Sequence, residues 1–154
     1  MLEKFVKRMT GFFARHDNIN EKNFSVDENT GISKKLGKNV GILKALMGES
    51  ADFLVREINV GGTKLALIYI DGLVNFMKIE QNILKPLLRV EEPVESVEKL
   101  LWNYLPSGEV SITDKLSDIC DGFLSGNTCI MVDGFNKGIV INTKGFEKRG
   151  IADP

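Results

Sequence analysis

Two aspartates hold the most suggestive position for chemistry. Asp71 follows Ile68-Tyr69-Ile70 and Asp133 follows Ile130-Met131-Val132, and each is followed by glycine. If the two apolar strands lie side by side and parallel, both carboxylates reach the same sheet end, where open α/β sheets place ligands. Such a pair could do acid–base work or hold Mg²⁺ in a small-ligand-binding or metal-dependent hydrolytic domain. Asp-Gly is also ordinary turn chemistry, and an aspartate there can cap a helix or pair with a cation.

Other reactive constellations fall short. A Ser-His-Asp or Cys-His set needs a histidine beside its nucleophile. The one histidine, His16, lies in a polar N-terminal stretch. Cys120 and Cys129 are nine apart without a neighbouring histidine, which is not a zinc-ligand spacing. Gly61-Gly62-Thr63-Lys64 ends like a P-loop but lacks the upstream glycine and joins two strands. No catalytic residue, metal or cofactor is expected. Glu91, Glu92, Glu95 and Glu98 form an acidic run suited to a helix start, and could also meet a basic partner surface.

The chain has 154 residues, a formal charge of −1, 43% hydrophobic and 27% charged residues. That length buries roughly 70% of the unfolded surface, so no staple is needed. The near-zero charge argues against nucleic acid as a partner. The longest apolar run, Leu65 to Ile70, is far short of the roughly 20 residues of a membrane helix. Two cysteines and no signal-peptide pattern suggest a reducing compartment. Charge is polarised: residues 1–44 carry 9 basic and 5 acidic side chains, and residues 45–154 carry 11 and 16. A basic, polar arm over residues 1–32, partly flexible, is therefore expected ahead of a globular unit over residues 33–154. An anionic membrane surface is one partner that such an arm could meet.

The elements that must position the aspartates follow from periodicity. A helix is expected over Lys34–Met47, capped by Ser33 and closed by Gly48. A hairpin spans Phe53–Val60 and Thr63–Ile70 around Gly61-Gly62. Three helices follow: Asn75 to Leu84, stopped or kinked by Pro86; Ser96 to Leu105; and Asp114 to Leu124, capped by Thr113 and closed by Gly126. A second hairpin pairs Thr128–Val132 with Gly138–Thr143. Leu65–Ile70 and Cys129–Val132 are apolar on both faces, as central strands are. A right-handed crossover would set them parallel. The fold class is thus α/β, a mixed four-stranded sheet of two hairpins in sequential order, with helices on both faces.

Three segments carry a family resemblance. They are Lys38–Lys44 with Ser50–Glu57; Ala66–Asn75, containing Ile68-Tyr69-Ile70-Asp71-Gly72-Leu73-Val74, through Ile83–Leu87; and Leu124–Thr128 with Met131–Gly134 and Ile141–Arg149, containing Thr143-Lys144-Gly145-Phe146-Glu147-Lys148-Arg149. In this order they resemble the N-terminal soluble region of the A subunit of GerA-type spore germinant receptors. The resemblance runs from about Ser33 to the C-terminus and implies the first subdomain of a longer membrane protein. It implies a non-enzymatic signalling and assembly domain acting in nutrient-triggered germination. Its partners would be the B and C receptor subunits and other A subunits, in the spore inner membrane, with this domain facing the cytoplasm or spore core. The resemblance carries over no catalytic residue.

Overall fold

The computed structural model describes residues 26–106 and 108–145. Five strands form one sheet: β1 (Phe53–Val60), β2 (Thr63–Ile70), β3 (Val110–Thr113), β4 (Thr128–Val132) and β5 (Gly138–Ile141). Their order is β1-β2-β4-β5-β3, and every neighbouring pair is antiparallel. The α/β class, the two hairpins, the adjacency of the two apolar strands and helices on both faces are present. The parallel centre and the count of four are corrected. Each element that crosses the sheet reverses the chain. Three helices between β2 and β4 would return the chain parallel, but the short strand β3 adds a fourth crossing and makes it antiparallel.

The first hairpin closes as its sequence dictates. Gly61 and Gly62 have φ of 59° and 92°, the positive values of a two-residue turn that only glycine adopts cheaply. Gly61 also lies directly under the Glu92 carbonyl, so the turn packs against the acidic loop.

Two helical layers cover the sheet. On one face lie α1 (Leu36–Met47) and the last helix, whose Leu116, Ile119, Cys120 and Phe123 pack on Ala66, Ile68, Cys129 and Met131. On the other, Leu65, Leu67, Ile130, Val132, Ile139 and Ile141 meet Ile83, Leu87, Val97, Leu100 and Leu101. β2 and β4 alternate between these two cores, which is why both read as apolar throughout. Residues ahead of α1 join the first core, since Val26 and Ile32 are buried there. Residues 1–25 of the expected basic arm, with His16, lie outside the described residues.

The second layer opens with α2 (Phe76–Ile79), whose cap Asn75 accepts a hydrogen bond from the Met77 N–H at 3.0 Å. It continues as a π-helical turn over Glu80–Leu84 into α3 (Lys85–Leu87). Of the stop or kink expected at Pro86, the chain shows no stop but a widened turn just before it. Proline has no N–H and its ring crowds the carbonyl one turn back. Opening the preceding turn relieves that conflict. Next, α4 (Val97–Tyr104) is capped by Ser96, which accepts from the Lys99 N–H at 3.0 Å. Finally, α5 (Leu116–Leu124) ends where the Asn127 N–H bonds the Gly122 carbonyl and the Gly126 N–H bonds that of Phe123. This closure needs the left-handed residue that Gly126, at φ 92°, supplies.

Candidate functional site

Antiparallel pairing separates the two aspartates. Leu65 faces Val132 and Ile68 faces Cys129, so Asp133 lies beside Lys64, seven positions along β2 from Asp71. At a strand rise of about 3.3 Å per residue the gap is roughly 23 Å. The reading of Asp71 and Asp133 as one paired-carboxylate or Mg²⁺ site is thereby overturned. Among the described residues no group of three or more His, Cys, Asp or Glu is placed to hold a metal.

Each aspartate has a local task. Asp133 Oδ1 accepts from the Leu36 N–H at 3.1 Å, and the Gly134 N–H donates to the Lys34 carbonyl at 2.8 Å. A carboxylate at a helix N-terminus satisfies an orphan donor and meets the positive end of the helix dipole. Asp133 thus caps α1, where Ser33 was expected. Ser33 instead accepts from the Lys35 N–H, and its backbone is held at both ends by the Asn39 amide. Asp71 sits in the turn after β2, its N–H bonded to the Asp52 carbonyl. Asp133→Ala is expected to cost about 1 kcal/mol, as lost caps do, and Asp71→Ala to stay within about 0.5 kcal/mol. Urea unfolding with and without Mg²⁺ checks both, and neither difference should depend on the ion.

The remaining candidates also turn out structural. Thr63 Oγ1 accepts from the Val94 N–H at 3.0 Å, tying the Gly-Gly turn to the acidic loop. Of the acidic run, Glu95 in the loop pairs with Lys99 at 2.5 Å and Glu98 in α4 with Lys137 at 2.9 Å, and both carboxyls are held below their ordinary range by those hydrogen bonds. Glu91 and Glu92 are exposed. Thr113, expected as a simple cap, ends β3, where its hydroxyl accepts from the Lys115 N–H and donates to Asp118.

Cys120 and Cys129 are buried free thiols. Burial pushes the Cys120 thiol up to about 12 and Cys129 further still. Both therefore stay protonated and unreactive in the folded protein, because the thiolate is the nucleophile. A thiol reagent at pH 8 should label neither residue until the chain unfolds, with a rate that follows denaturant. A thiol raised in the fold stabilises fully below the unfolded value of about 9 and loses that contribution as pH climbs toward 12. Stability should therefore fall through this alkaline window.

A polar margin that the motif reading passed over lies where β3, β4 and β5 end. Thr128 and Thr143 are fully buried, with hydroxyls 2.8 Å apart, and Thr143 also donates to the Gly126 carbonyl at 3.2 Å. Above them is an open recess of about 280 Å³ bearing Glu109, Ser111, Asn127, Asn142 and Lys144. Asn142 Nδ2 donates to Glu109, and its Oδ1 accepts from the Lys144 N–H at 3.0 Å. Asn127 Oδ1 is buried and has no hydrogen-bond partner among the described residues. The sequence did hold a signal, the doublet Asn-Thr at 127–128 and again at 142–143, set on neighbouring strands by the hairpin register.

A sequence profile described as Bacillus/Clostridium GerA spore germination protein matches residues 41–154. The spore germination protein KA of Bacillus subtilis is 32% identical over 128 residues, covering 80% of this chain and 24% of that protein. A membrane protein of the same organism, YfkQ, is 27% identical over 135 residues, covering 86% of this chain and 26% of that one. The chain spans about a quarter of the length of these relatives. The crystal structure of the N-terminal domain of the A subunit of the Bacillus megaterium spore germinant receptor GerK3 superposes with a TM-score of 0.54 at 20% identity. It covers 72% of this chain and 94% of that one, and bears on the fold alone. Among the described residues no helix is long and apolar enough to cross a membrane.

Proposed function

Because the chain belongs to the Bacillus/Clostridium GerA family of spore germination proteins, we propose that it is a non-enzymatic signalling and assembly domain of a germinant receptor A subunit. The observation that carries this reading is the profile match over residues 41–154, which takes in the whole sheet, the helices from α2 to α5 and the second half of α1. In this role the domain works mechanically. Nutrient binding elsewhere in a receptor built with B and C subunits and further A subunits changes how such domains pack, and the membrane part responds. The receptor resides in the spore inner membrane with this domain on the cytoplasmic or core side.

The surface supports a docking role. The exposed large apolar side chains among the described residues, Phe76, Met77, Leu88, Trp102 and Tyr104, all lie in the layer built from α2 to α4. Leu88 and Trp102 are 81% and 77% exposed. Apolar side chains gathered on one side of a domain mark interaction surfaces more often than scattered ones do.

The test uses the full-length protein in spores. Isolated from the inner membrane, a tagged copy should bring B- and C-type subunits with it, and charged replacements of Leu88 and Trp102 should reduce that recovery. The same variants should slow nutrient-triggered germination and spare germination by a route that bypasses the receptors. Intact recovery of no other receptor subunit, together with an unchanged nutrient response, would overturn the reading.

A further inference from the structure

A groove of about 210 Å³ separates the loop over residues 90–95 from α4. Val90, Val94 and Leu100 line it with Tyr104, and Glu92, Glu95 and Lys99 supply charge. Glu95 and Lys99 pair with each other, whereas Glu92 makes no ion pair with a described residue. The groove is preformed. Its loop is tied to the first hairpin turn by the Val94 N–H on Thr63 Oγ1 at 3.0 Å and by the seat of Gly61 under the Glu92 carbonyl. Ser96 fixes the start of α4. Held walls spare an occupant the cost of ordering them. Aliphatic side chains, a tyrosine ring and a carboxylate without a partner fit an aromatic side chain with a cation beside it.

The chain itself carries such a segment. Residues 1–15 hold Lys4, Lys7, Arg8 and Arg15 against Glu3, a charge of +3, and Phe12-Phe13 stands just ahead of Arg15. Leu2, Phe5, Val6, Met9, Phe12 and Phe13 recur at intervals of three and four, the spacing of anchors that enter a groove together. The other terminal segment, residues 146–154, sets Glu147 and Asp153 against Lys148 and Arg149 and is neutral. Charge therefore selects the N-terminal arm. Length permits it as well. Thirteen positions separate Phe13 from Val26, a reach of about 43 Å, and a domain of about 120 residues is roughly 35 Å across.

We infer that the Phe12-Phe13 segment of the arm docks in the groove between the 90–95 loop and α4, with Arg15 against Glu92. The contact is made within one chain. Tethering gives an effective concentration on the order of millimolar, so a weak contact holds the arm in place. Leu88 and Trp102 do not line this groove, and an arm seated there leaves them to a receptor subunit. The contact stands independently of the assembly role, and its failure would leave that role untouched.

Paramagnetic broadening in NMR tests this on the whole chain. Ala14→Cys places a nitroxide beside Phe13, while the buried thiols Cys120 and Cys129 stay unlabelled. Amide signals of Val90, Val94, Leu100 and Tyr104 should lose at least half of their intensity, and that of Ile119 in the first core should not. Joint replacement by Phe12→Ser and Phe13→Ser should restore them fully. Glu92→Lys, a change at an exposed position that keeps the dispersed spectrum of the fold, should restore at least half of the loss. Nitroxide-bearing chain mixed with isotope-labelled parent chain should broaden nothing, because the contact is internal. The inference is overturned by unbroadened groove signals, and binding of the label to phosphatidylglycerol vesicles would then assign the arm to lipid. It is equally overturned by broadening that survives either replacement, or by broadening in the mixture, which would seat the arm on a second copy.

Discussion

Phe123→Ala is expected to remove about 4 kcal/mol of stability, the largest loss from any single truncation in this fold. Phe123 is 1% exposed, sits on α5 and fills the first core between the sheet and α1. Its ring centroid lies 5.1 Å from that of Phe53 with the planes inclined at 53°, an aromatic pairing worth about 1 kcal/mol beyond burial. The void could not be closed by sinking the helix. A Cβ on the adjacent Gly122 would already come within 2.9 Å of Val140 Cγ1 and 3.0 Å of Cys129 Sγ, so α5 is at its closest approach. The penalty should therefore fall in the upper part of the known range for buried phenylalanines. Urea unfolding should show a lower midpoint at unchanged slope. A loss under about 1.5 kcal/mol would mean that the core relaxes where the packing says it cannot.

Gly61→Ala is the second large effect, at about 3 kcal/mol, and it works through the backbone. The residue has a φ of 59°, which costs alanine about 1 kcal/mol. A Cβ there would lie 2.1 Å from the Glu92 carbonyl oxygen, a distance at which the acidic loop has to move. Gly62→Ala separates the two contributions. Its φ is 92°, but its Cβ would meet only Pro93 Cγ at 4.0 Å, so it should lose about 1 kcal/mol. Thermal unfolding of both variants measures the difference, and equal losses would sink the crowding argument.

What was legible in the sequence was local. Gly61-Gly62 announced its turn, Asn75 and Ser96 announced their caps, and Gly126 announced the end of α5, because each acts on backbone within a few residues. The unbroken apolar runs of β2 and β4 announced two covered faces. What was hidden depended on partners far along the chain. β3 has four residues between Gly108 and Asp114, too few to display alternation, and overlooking it reversed the expected direction of β4. The cap of α1 comes from a residue 97 positions away. The polar recess draws Glu109, Asn127 and Asn142 from the ends of three strands, so no stretch of sequence displays it as a motif. The Asp-Gly echo did mark two strand ends, but the sheet sends them in opposite directions.

The widened turn over Glu80–Leu84 has a bearing on how this segment tolerates change in length. Ile79, Ile83 and Leu87 are buried at intervals of four. A regular helix turns a little too far at that spacing, and the stripe would creep sideways; the broad turn winds it back. The segment has in effect already absorbed its spare residue. One more inserted between Ile79 and Leu87 would swing Leu87 out toward water and Leu88 no nearer the core, whereas the nearby loop at 90–95 has no such phase to keep.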